Sequence, residues 1–439
     1  MSTIILLSAI ALLLLLITVI KLNAFVALIV SSLYVGIANG MHLQKTIASV
    51  TTGIGSTLGS LILVLGFGVM LGGILTETGA AQKISAELVR LFGPKKAKVA
   101  IHITAFVVGI ALFYNAGFIV LIPLAFSIAV STGQSLVYLA IAMASALSVT
   151  HGFLPPHPGP TAIAVIFKAD IGKTLMYGII VAIPALIAAG ILFPEFIKNI
   201  KSDPPTGMFK AQAGDRDQLP GFRVSLFCAL VPILLMAAST FSDLFHFNPE
   251  SSFNQVVKFL GDPGIAMLIA VLCALVLLGP ARGTSIKSLI DNTASSINAV
   301  ATILLVIAAG GAFKQVLLDT GTGDVISAYF SHTNLSPLFL GWLIATIIRI
   351  AIGSATVAGL TAAGIVQPLV VASHVSPELM VISIGAGSLM CSHVNDSGFW
   401  MFKEYMGLNL ADTFKSWSVM ETIIGIIGLI GVLIINAFI

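Results

Sequence analysis

The sequence predicts an all-α polytopic membrane protein with about 12–14 transmembrane segments, arranged as two inverted structural repeats with broken helices. Three observations support this fold class. The chain of 439 residues is 57% hydrophobic and only 9% charged, whereas about a quarter of the residues in soluble domains are charged. Its hydrophobic residues form long blocks, and the two halves of the chain match at a fixed offset. The composition therefore excludes an ordinary soluble protein.

The hydrophobic blocks are long enough to cross a hydrocarbon core, which takes about 20 helical residues. They lie near residues 3–20, 23–41, 55–76, 98–131, 136–152, 174–195, 222–245, 264–279, 294–313, 338–374, 378–392 and 416–439. The first block could be a signal peptide, but no Lys or Arg precedes it and no soluble domain follows it. We therefore expect residues 1–22 to form an extra N-terminal transmembrane span.

One long polar stretch interrupts this pattern at residues 197–222. It is rich in charged residues, Pro and Gly, which is typical of a solvated linker. The linker separates a first repeat, at residues 23–196, from a second repeat at residues 265–439. Residues 223–264 have no counterpart in the first repeat, and we expect them to form a linking span and a loop.

The two repeats align at a constant offset of 242 residues, as between Glu77 and Asp319. At this offset "ETGAAQKIS" matches "DTGTGDVIS", and "ALSVTH" matches "SLMCSH". Two halves that were alike only in being hydrophobic would not keep a single offset. We therefore interpret them as an internal repeat, and we call two residues related by this offset counterparts.

The basic residues predict that the two repeats have opposite orientations, because cytoplasmic loops accumulate Lys and Arg. The loop from Lys83 to Lys98 is rich in both, whereas the corresponding loop from Asp319 to Pro337 contains neither. The linker at residues 197–222 also contains Lys and Arg and is predicted to be cytoplasmic. Internal repeats of secondary transporters are often inverted in this way.

Four stretches inside or beside the apolar blocks are expected to break a helix. The first is "THGFLPPHPGPTA", where Pro155 and Pro156 begin a proline-rich run through which no α-helix can continue. Its counterpart is "SHVNDSGFW", which contains Gly398. The other two are counterparts of each other, "LFYNAGF" with Gly117 and "SATVAGL" with Gly359. Both glycines are expected to permit a break or a close approach of helices.

Broken helices in a membrane indicate a cavity. Unpaired backbone groups at membrane depth are tolerated only where protein or a water-filled cavity satisfies them. Secondary transporters bind substrate on such discontinuous helices, whose exposed N–H groups and dipoles favour an anion. The sequence therefore predicts a carrier of a small anion.

Three motifs closely resemble signature stretches of the gluconate permease family, which contains proton-coupled importers of gluconate and related small acids. They are "THGFLPPHPGPTA", "IRIAIGSATVAGLTAAGI" and "CSHVNDSGFWMFKEY", and the resemblance extends over essentially the whole chain. It implies the inverted repeats and re-entrant hairpins of the ion transporter superfamily. It also implies a homodimer in the bacterial inner membrane. In one respect the chain departs from the family pattern, since many members have Glu where this chain has Asn115.

Two charged residues are the sharpest site candidates. Asp396 lies beside a predicted helix break, and an ionisable group in the membrane is costly and usually functional. We expect Asp396 to couple ion and substrate movement, and the alternative is a helix cap, because "NDSG" is also good turn chemistry. Arg349 is predicted to bind the substrate carboxylate directly or to hold Asp396 until substrate displaces it. The alternative for Arg349 is a side chain that extends from a helix end to the membrane surface.

The remaining candidates are neutral polar side chains near the breaks. They are Asn115, His151, His157, Ser354, Thr356, His393 and Asn395. Hydroxyls and amides suit a polyol substrate, and a His can titrate or donate to a carboxylate. The alternatives are structural: Ser and Thr bond their own backbone, the amides satisfy a broken helix, the histidines make buried hydrogen bonds, and His157 lies at a loop tip.

The sequence as a whole predicts a secondary transporter, and not an enzyme, that imports gluconate or a related small sugar acid by proton symport with alternating access. Sodium coupling, a dicarboxylate, or a hydroxy amino acid such as D-serine are alternatives within this class. A membrane-embedded metal-dependent hydrolase is the alternative outside it, with His151, His157, His393 and Asp396 as ligands. That alternative is disfavoured because no ligand pair has helical spacing. We expect no metal, no cofactor and no nucleic-acid partner.

The inverted topology can be tested with single cysteines at two counterpart positions, Ser85→Cys and Ser327→Cys, in a chain whose three native cysteines are replaced by serine. An impermeant maleimide added to intact cells should label the cysteine at position 327 and spare the one at position 85. Permeabilised cells are the control, in which both cysteines should react. Labelling of both positions from the same side would contradict the inversion.

Overall fold

A computed structural model of the protein describes residues 2–93, 96–202, 219–244, 248, 250–280, 283–321, 335–373 and 375–439. These residues form helices and short connections, and no strand occurs among them. The all-α architecture predicted from the sequence is therefore confirmed.

The helices up to the linker are α1 (Ser2–Thr18), α2 (Ala24–Ala38), α3 (Leu43–Glu77), α4 (Ala80–Phe92), α5 (Ala97–Ala111), α6 (Tyr114–Thr132), α7 (Leu136–Phe153), α8 (Pro158–Phe167), α9 (Ile171–Leu186) and α10 (Pro194–Ile197). The helices after it are α11 (Phe222–Leu244), α12 (Ser252–Gly261), α13 (Pro263–Leu278), α14 (Ile286–Asp319), α15 (Pro337–Ile352), α16 (Ala355–Ser373), α17 (Pro377–Leu389), α18 (Ser397–Met406), α19 (Leu410–Thr413) and α20 (Val419–Asn436). π-helical turns at Ile187–Leu192 and Phe414–Ser418 adjoin α9 and α20.

Helix bounds recur at the offset found in the sequence. α3 ends at Glu77 and α14 ends at its counterpart Asp319. The pairs α5 and α15, α6 and α16, and α7 and α17 likewise begin within a few residues of counterpart positions. The loop predicted to match Lys83 to Lys98 lies mostly outside the described residues, at 322–334. The opposite orientation of the two halves stays a prediction.

The long helices α3 and α14 pack against each other, and glycines permit their close approach. A Cβ atom on Gly53 would overlap the Gly311 carbonyl oxygen, and one on Gly311 would overlap the Thr57 side chain. α3 also bends by 46° between Gly59 and Leu61. The pair therefore joins the first repeat to the second through backbone contacts that larger residues would prevent.

Central and peripheral helices differ in what they bury. α7 and α17 are buried on all sides, including every residue from Leu379 to Leu389. By contrast, α9 and α20 each leave a stripe of large apolar side chains exposed, namely Ile180, Ile183, Ile187, Ile426, Ile430 and Ile434. These residues recur every three or four positions and thus share one helix face. Such a face is stable against lipid, which places α9 and α20 at the periphery.

By length and composition, five described helical segments can cross a membrane, or up to seven if each of two bent helix pairs counts as one span. The rest of the predicted 12–14 segments would have to come from shorter apolar helices such as α2, α5, α15 and α17. Two long blocks in the sequence are in fact pairs of shorter helices, since residues 98–131 divide into α5 and α6, and residues 338–374 into α15 and α16. Interrupted helices are therefore a general feature of this fold.

The positions of the breaks agree in part with the sequence prediction. Pro155 and Pro156 lie in the turn between α7 and α8, as predicted. Gly398 lies in the first turn of α18. Gly117 and Gly359, however, lie inside α6 and α16, and the breaks before these helices come earlier, at Leu112 and Gly353.

The two interior glycines instead permit close packing of helices. A Cβ on Gly117 would lie 2.9 Å from the Leu147 side chain on α7. A Cβ on Gly359 would lie 3.0 Å from the Ile163 side chain on α8. These distances are shorter than ordinary van der Waals contacts, so both positions favour glycine by packing rather than by backbone conformation.

Candidate functional site

The broken helices surround a cavity of about 670 Å³, a volume suited to a small-molecule ligand. Its walls come from both repeats, with α3, α6 and α7 on one side and α15, α16 and α18 on the other. Of the predicted site residues, those that line it are Asn115, His151, Arg349, Ser354, Thr356, Asn395, Asp396 and Gly398. The structure thus brings together residues that are up to 283 positions apart, as between Asn115 and Gly398.

Four helices begin at this cavity. The first turns of α6, α8, α16 and α18 contribute lining residues, among them Tyr114, Pro158, Ala355 and Ser397. The first N–H groups of a helix have no partner within the helix, and its dipole makes that end positive. Helix N-terminal ends are therefore directed at one space, and their partial charges favour an anion there.

Arg349 is held at the break between α15 and α16. It lies in the last turn of α15, where a cation is favoured by the helix dipole, and its Nη1 donates to the carbonyl of Gly353. Gly353 has a φ of 83°, which a residue with a Cβ rarely adopts. The Arg349 side chain is only 3% exposed, so it does not extend from the helix end to the surface.

Arg349 forms a buried ion pair with Asp396. Nη2 of Arg349 lies 2.5 Å from Oδ2 of Asp396, and the hydroxyl of Ser392 donates to the same oxygen at 2.5 Å. Nε1 of Trp417, in the π-helical turn, donates in turn to the Ser392 hydroxyl at 2.8 Å. The other carboxylate oxygen of Asp396 accepts from the Gly398 N–H at 2.8 Å and caps α18. Asp396 therefore caps α18, as the structural alternative predicts, and it also lies beside a break in an ion pair with Arg349; its coupling role stays a prediction.

Both residues of the ion pair line the cavity, and Arg349 retains one hydrogen-bond donor that no described residue uses. The Asp396 side chain is 14% exposed, and both residues line the cavity. Nε of Arg349 is buried and has no acceptor among the described residues. A buried ion pair is stable only while each charge has its partner, and loss of one partner typically costs about 3–5 kcal/mol. A second anion in the cavity would therefore compete with Asp396 for the guanidinium.

The neutral polar residues differ in how far their bonding is satisfied. Asn395 donates to the Ile350 carbonyl at 2.8 Å, and Ser354 accepts from the Val357 N–H at 3.4 Å. Both side chains thus bond backbone groups at a helix break, as the structural alternative predicted, although both residues also line the cavity. The side chains of Asn115 and Thr356 make no hydrogen bond with any described residue. These two side chains are available to a ligand.

Only one of the three predicted histidines lines the cavity. The ring centroid of His151 lies 5.7 Å from that of His157 and 6.3 Å from that of Tyr114. His157 is buried behind it, with Nε2 2.6 Å from the Gly109 carbonyl oxygen, so it is neither at a loop tip nor on the cavity wall. His393 bonds the Cys391 carbonyl at 3.0 Å and is likewise absent from the lining. For His157 and His393 the structure favours the buried or local hydrogen bond.

One buried carboxyl group of the site was missed in the sequence. Glu421 lies on α20, is 2% exposed and lines the cavity. Its Oε1 accepts a hydrogen bond from the Ser148 hydroxyl on α7 at 2.5 Å. The available signal was a single acidic residue within the last apolar block, since such residues in membrane helices are usually functional.

The described residues contain no group of three or more His, Cys, Asp or Glu side chains arranged to hold a metal ion. His151, His157, His393 and Asp396 do not converge on one point as the hydrolase alternative requires. The geometry of this region therefore lends that alternative no support.

Comparison with known proteins agrees with the family resemblance of the three motifs. The profile described as GntP family permease matches residues 1–438. A high-affinity gluconate transporter of Escherichia coli K12 is 50% identical over 97% of this chain and 97% of its own length. The Gnt-II system L-idonate transporter of the same organism is 46% identical over 100% and 99%. A gluconate permease of Bacillus subtilis is 44% identical over 97% of each chain.

Two solved structures share the fold. The YdaH transporter of Alcanivorax borkumensis superposes with a TM-score of 0.68 at 15% identity, covering 94% of this chain and 97% of that one. MtrF of Neisseria gonorrhoeae superposes with a TM-score of 0.62 at 15% identity, covering 94% of each chain. At this identity the likeness concerns the fold alone. Sequence relatives, apolar helices and fold together show a multi-pass transport protein of the bacterial inner membrane, and not an enzyme. The chain belongs to the GntP family of permeases.

Proposed function

We propose that this chain is a secondary transporter that imports gluconate or a closely related sugar acid by proton symport with alternating access. The observation that carries the proposal is the buried ion pair of Arg349 and Asp396 in a cavity where helix N-termini meet. The full-length relatives named as gluconate and idonate transporters supply the substrate class. Both acids pair one carboxylate with a chain of hydroxyls.

The substrate carboxylate binds by taking the place of Asp396 on Arg349. A sugar acid that leaves water must exchange its hydration for charged or hydrogen-bonding partners, because an unpaired buried charge costs several kcal/mol. The planar guanidinium can receive a carboxylate through two parallel hydrogen bonds. Nη2 is released when Asp396 moves away, and Nε has no acceptor among the described residues. These two donors form one edge of the guanidinium.

The hydroxyl groups of the substrate bind next to this carboxylate position. Asn115 offers a donor and an acceptor, and Thr356 offers a hydroxyl, on the first turns of α6 and α16. Their side chains make no other bond among the described residues, so they lose none on binding substrate. The side chains of Ser354 and Asn395 already bond backbone groups, and they contribute to the shape of the cavity.

Asp396 couples substrate binding to the return of the empty carrier. Without substrate it neutralises Arg349, so that the empty site carries no unpaired guanidinium when the carrier changes orientation. With substrate bound, Asp396 keeps its hydrogen bonds from Ser392 and Gly398, and the cavity has gained one negative charge. A cation must compensate this charge, and we assign it to a proton, with sodium as the alternative.

Two further parts of the proposal rest on the family resemblance. Alternating access would move the broken helices of one repeat against those of the other around the cavity. A homodimer would place the apolar periphery of two copies side by side. Neither part is needed for the binding chemistry at Arg349.

The function is tested by uptake of a panel of labelled acids into proteoliposomes, with proton and sodium gradients imposed separately. The panel contains gluconate, idonate, a dicarboxylate and D-serine. We expect gluconate or idonate to accumulate against its gradient when the outside is acidic, and sodium to have no effect. Accumulation driven by sodium alone would overturn the proton assignment, and preference for D-serine would overturn the substrate class.

In the same vesicles, Asp396→Asn should abolish net accumulation while it retains exchange of internal for external gluconate. The empty variant carries an unpaired Arg349 and cannot return, whereas the loaded variant can. Concentrative uptake at the wild-type level would remove Asp396 from the coupling role.

Substitution of Arg349 tests how the carboxylate is recognised. Arg349→Ala should weaken gluconate binding by about 100-fold, because it removes the charged partner of a buried anion. Arg349→Lys retains the charge but not the planar fork, so we expect a loss of about tenfold. Affinity is measured by calorimetry in detergent, and Arg223→Ala, an exposed arginine outside the cavity, is the control. Unchanged affinity in a folded Arg349→Ala protein would show that helix ends alone recognise the substrate.

A further inference from the structure

Glu421 is a buried acid that forms no ion pair with any residue that the structure describes. It is 2% exposed, it lies in the first turn of α20, and it lines the same cavity as Arg349 and Asp396. The Ser148 hydroxyl donates to its Oε1, and no described residue bonds its Oε2. If packing were the only role of this position, an apolar side chain would fill it at a lower cost in free energy.

None of the described charged groups around Glu421 forms an ion pair with it. α20 packs against α7, α9, α15, α17 and both π-helical turns. From these elements only Arg349 and His151 share its cavity, together with Tyr114, Glu77 and Asp396 from other elements. Arg349 is already bound to Asp396. The remaining titratable groups on the packed elements are not cavity residues, namely Tyr138, Lys173, Tyr177, Glu378 and Lys415.

This environment is suited to a carboxyl group that exchanges a proton. Burial without a cation favours the neutral acid over the carboxylate. When the proton leaves, the Ser148 hydroxyl donates one hydrogen bond to the carboxylate and lowers the free energy of this charged form. Asp396 differs, because it has a guanidinium, a hydroxyl and a backbone N–H as donors. Within the cavity, Glu421 rather than Asp396 has the surroundings of a proton-binding group.

Proton and substrate binding at this cavity are linked by charge. A substrate anion and a Glu421 carboxylate would repel each other in a site with one guanidinium and a second carboxylate already present. Substrate therefore binds better when Glu421 is neutral, and by reciprocity the proton binds better when substrate is present. Loss of the proton on the other side of the membrane would weaken substrate binding and promote its release.

We infer that Glu421 binds the proton that accompanies the substrate, an assignment that rests on the proposed proton symport. One proton from the outside joins the Glu421 carboxylate, one substrate anion joins Arg349, and both leave on the inside. Glu421 then returns as the carboxylate and takes a new proton from outside, so each cycle moves one proton and one substrate anion inward and consumes no other chemical species.

The test is Glu421→Gln, which is close in shape, can still accept a hydrogen bond from Ser148, and is permanently neutral. In proteoliposomes we expect accumulation driven by a proton gradient to fall by about tenfold or more, while exchange of gluconate remains measurable. Gluconate affinity, which should weaken with rising pH in the wild type, should become independent of pH. Glu404→Gln, at an exposed glutamate outside the cavity, is the control.

The outcomes separate this inference from the proposed function. Wild-type protein that takes up no proton with gluconate, measured with a pH-sensitive dye in the vesicles, would contradict the proton symport itself. Wild-type protein that takes up protons, together with a Glu421→Gln variant that does so equally, would overturn only the role of Glu421. A purely structural role would lower stability but leave the pH dependence of affinity unchanged.

If Glu421→Gln does not fold, Ser148→Ala takes its place. This change removes the donor to the carboxylate, so the pH at which gluconate affinity falls to half should move upward by about one unit. A folded Ser148→Ala protein with the wild-type pH profile would overturn the inference.

Discussion

The site depends on one buried ion pair, that of Arg349 with Asp396. Each charge is held by the interrupted backbone at which it lies. Arg349 bonds the carbonyl of Gly353, where the chain turns between α15 and α16, and Asp396 caps α18 after the turn that follows α17. Neither residue could be buried alone at acceptable cost. The pair therefore brings two breaks of the second repeat together, and the first repeat completes the cavity with α6 and α8.

The same breaks that are costly in a membrane supply the binding chemistry. A continuous helix presents no unpaired N–H group in its middle, whereas an interrupted one presents several at its new start. Helix starts at the cavity give it partial positive charge without adding a basic side chain. Arg349 is the one cationic side chain among the described residues that line the cavity, and no second one is then needed. In the proposed mechanism an anion can enter and leave this cavity, because it binds mostly to helix dipoles and to one guanidinium that has an alternative partner.

Local patterns in the sequence were sufficient to predict the all-α fold, the break at Pro155 and Pro156, and the proximity of Arg349 and Asp396 to breaks. They did not distinguish a break from a close helix approach at Gly117 and Gly359, which lie inside helices whose preceding breaks come at Leu112 and Gly353. They also did not show whether a polar side chain points into a cavity or toward buried backbone. Glu421 was missed although it is a single acidic residue in the last apolar block, and its hydrogen bond to Ser148, 273 residues away in the chain, could not be predicted from local patterns.

The central claim is that substrate and Asp396 compete for Arg349, and the gluconate affinity of Asp396→Asn tests it most directly. Removal of the competing carboxylate should strengthen binding by about tenfold, since a charge-assisted hydrogen bond no longer has to be broken. The affinity is measured by calorimetry on purified protein, so that transport defects do not enter. Tighter binding that disappears when Arg349→Ala is added is the result that the competition predicts. Weaker or unchanged binding by a folded Asp396→Asn protein would contradict it.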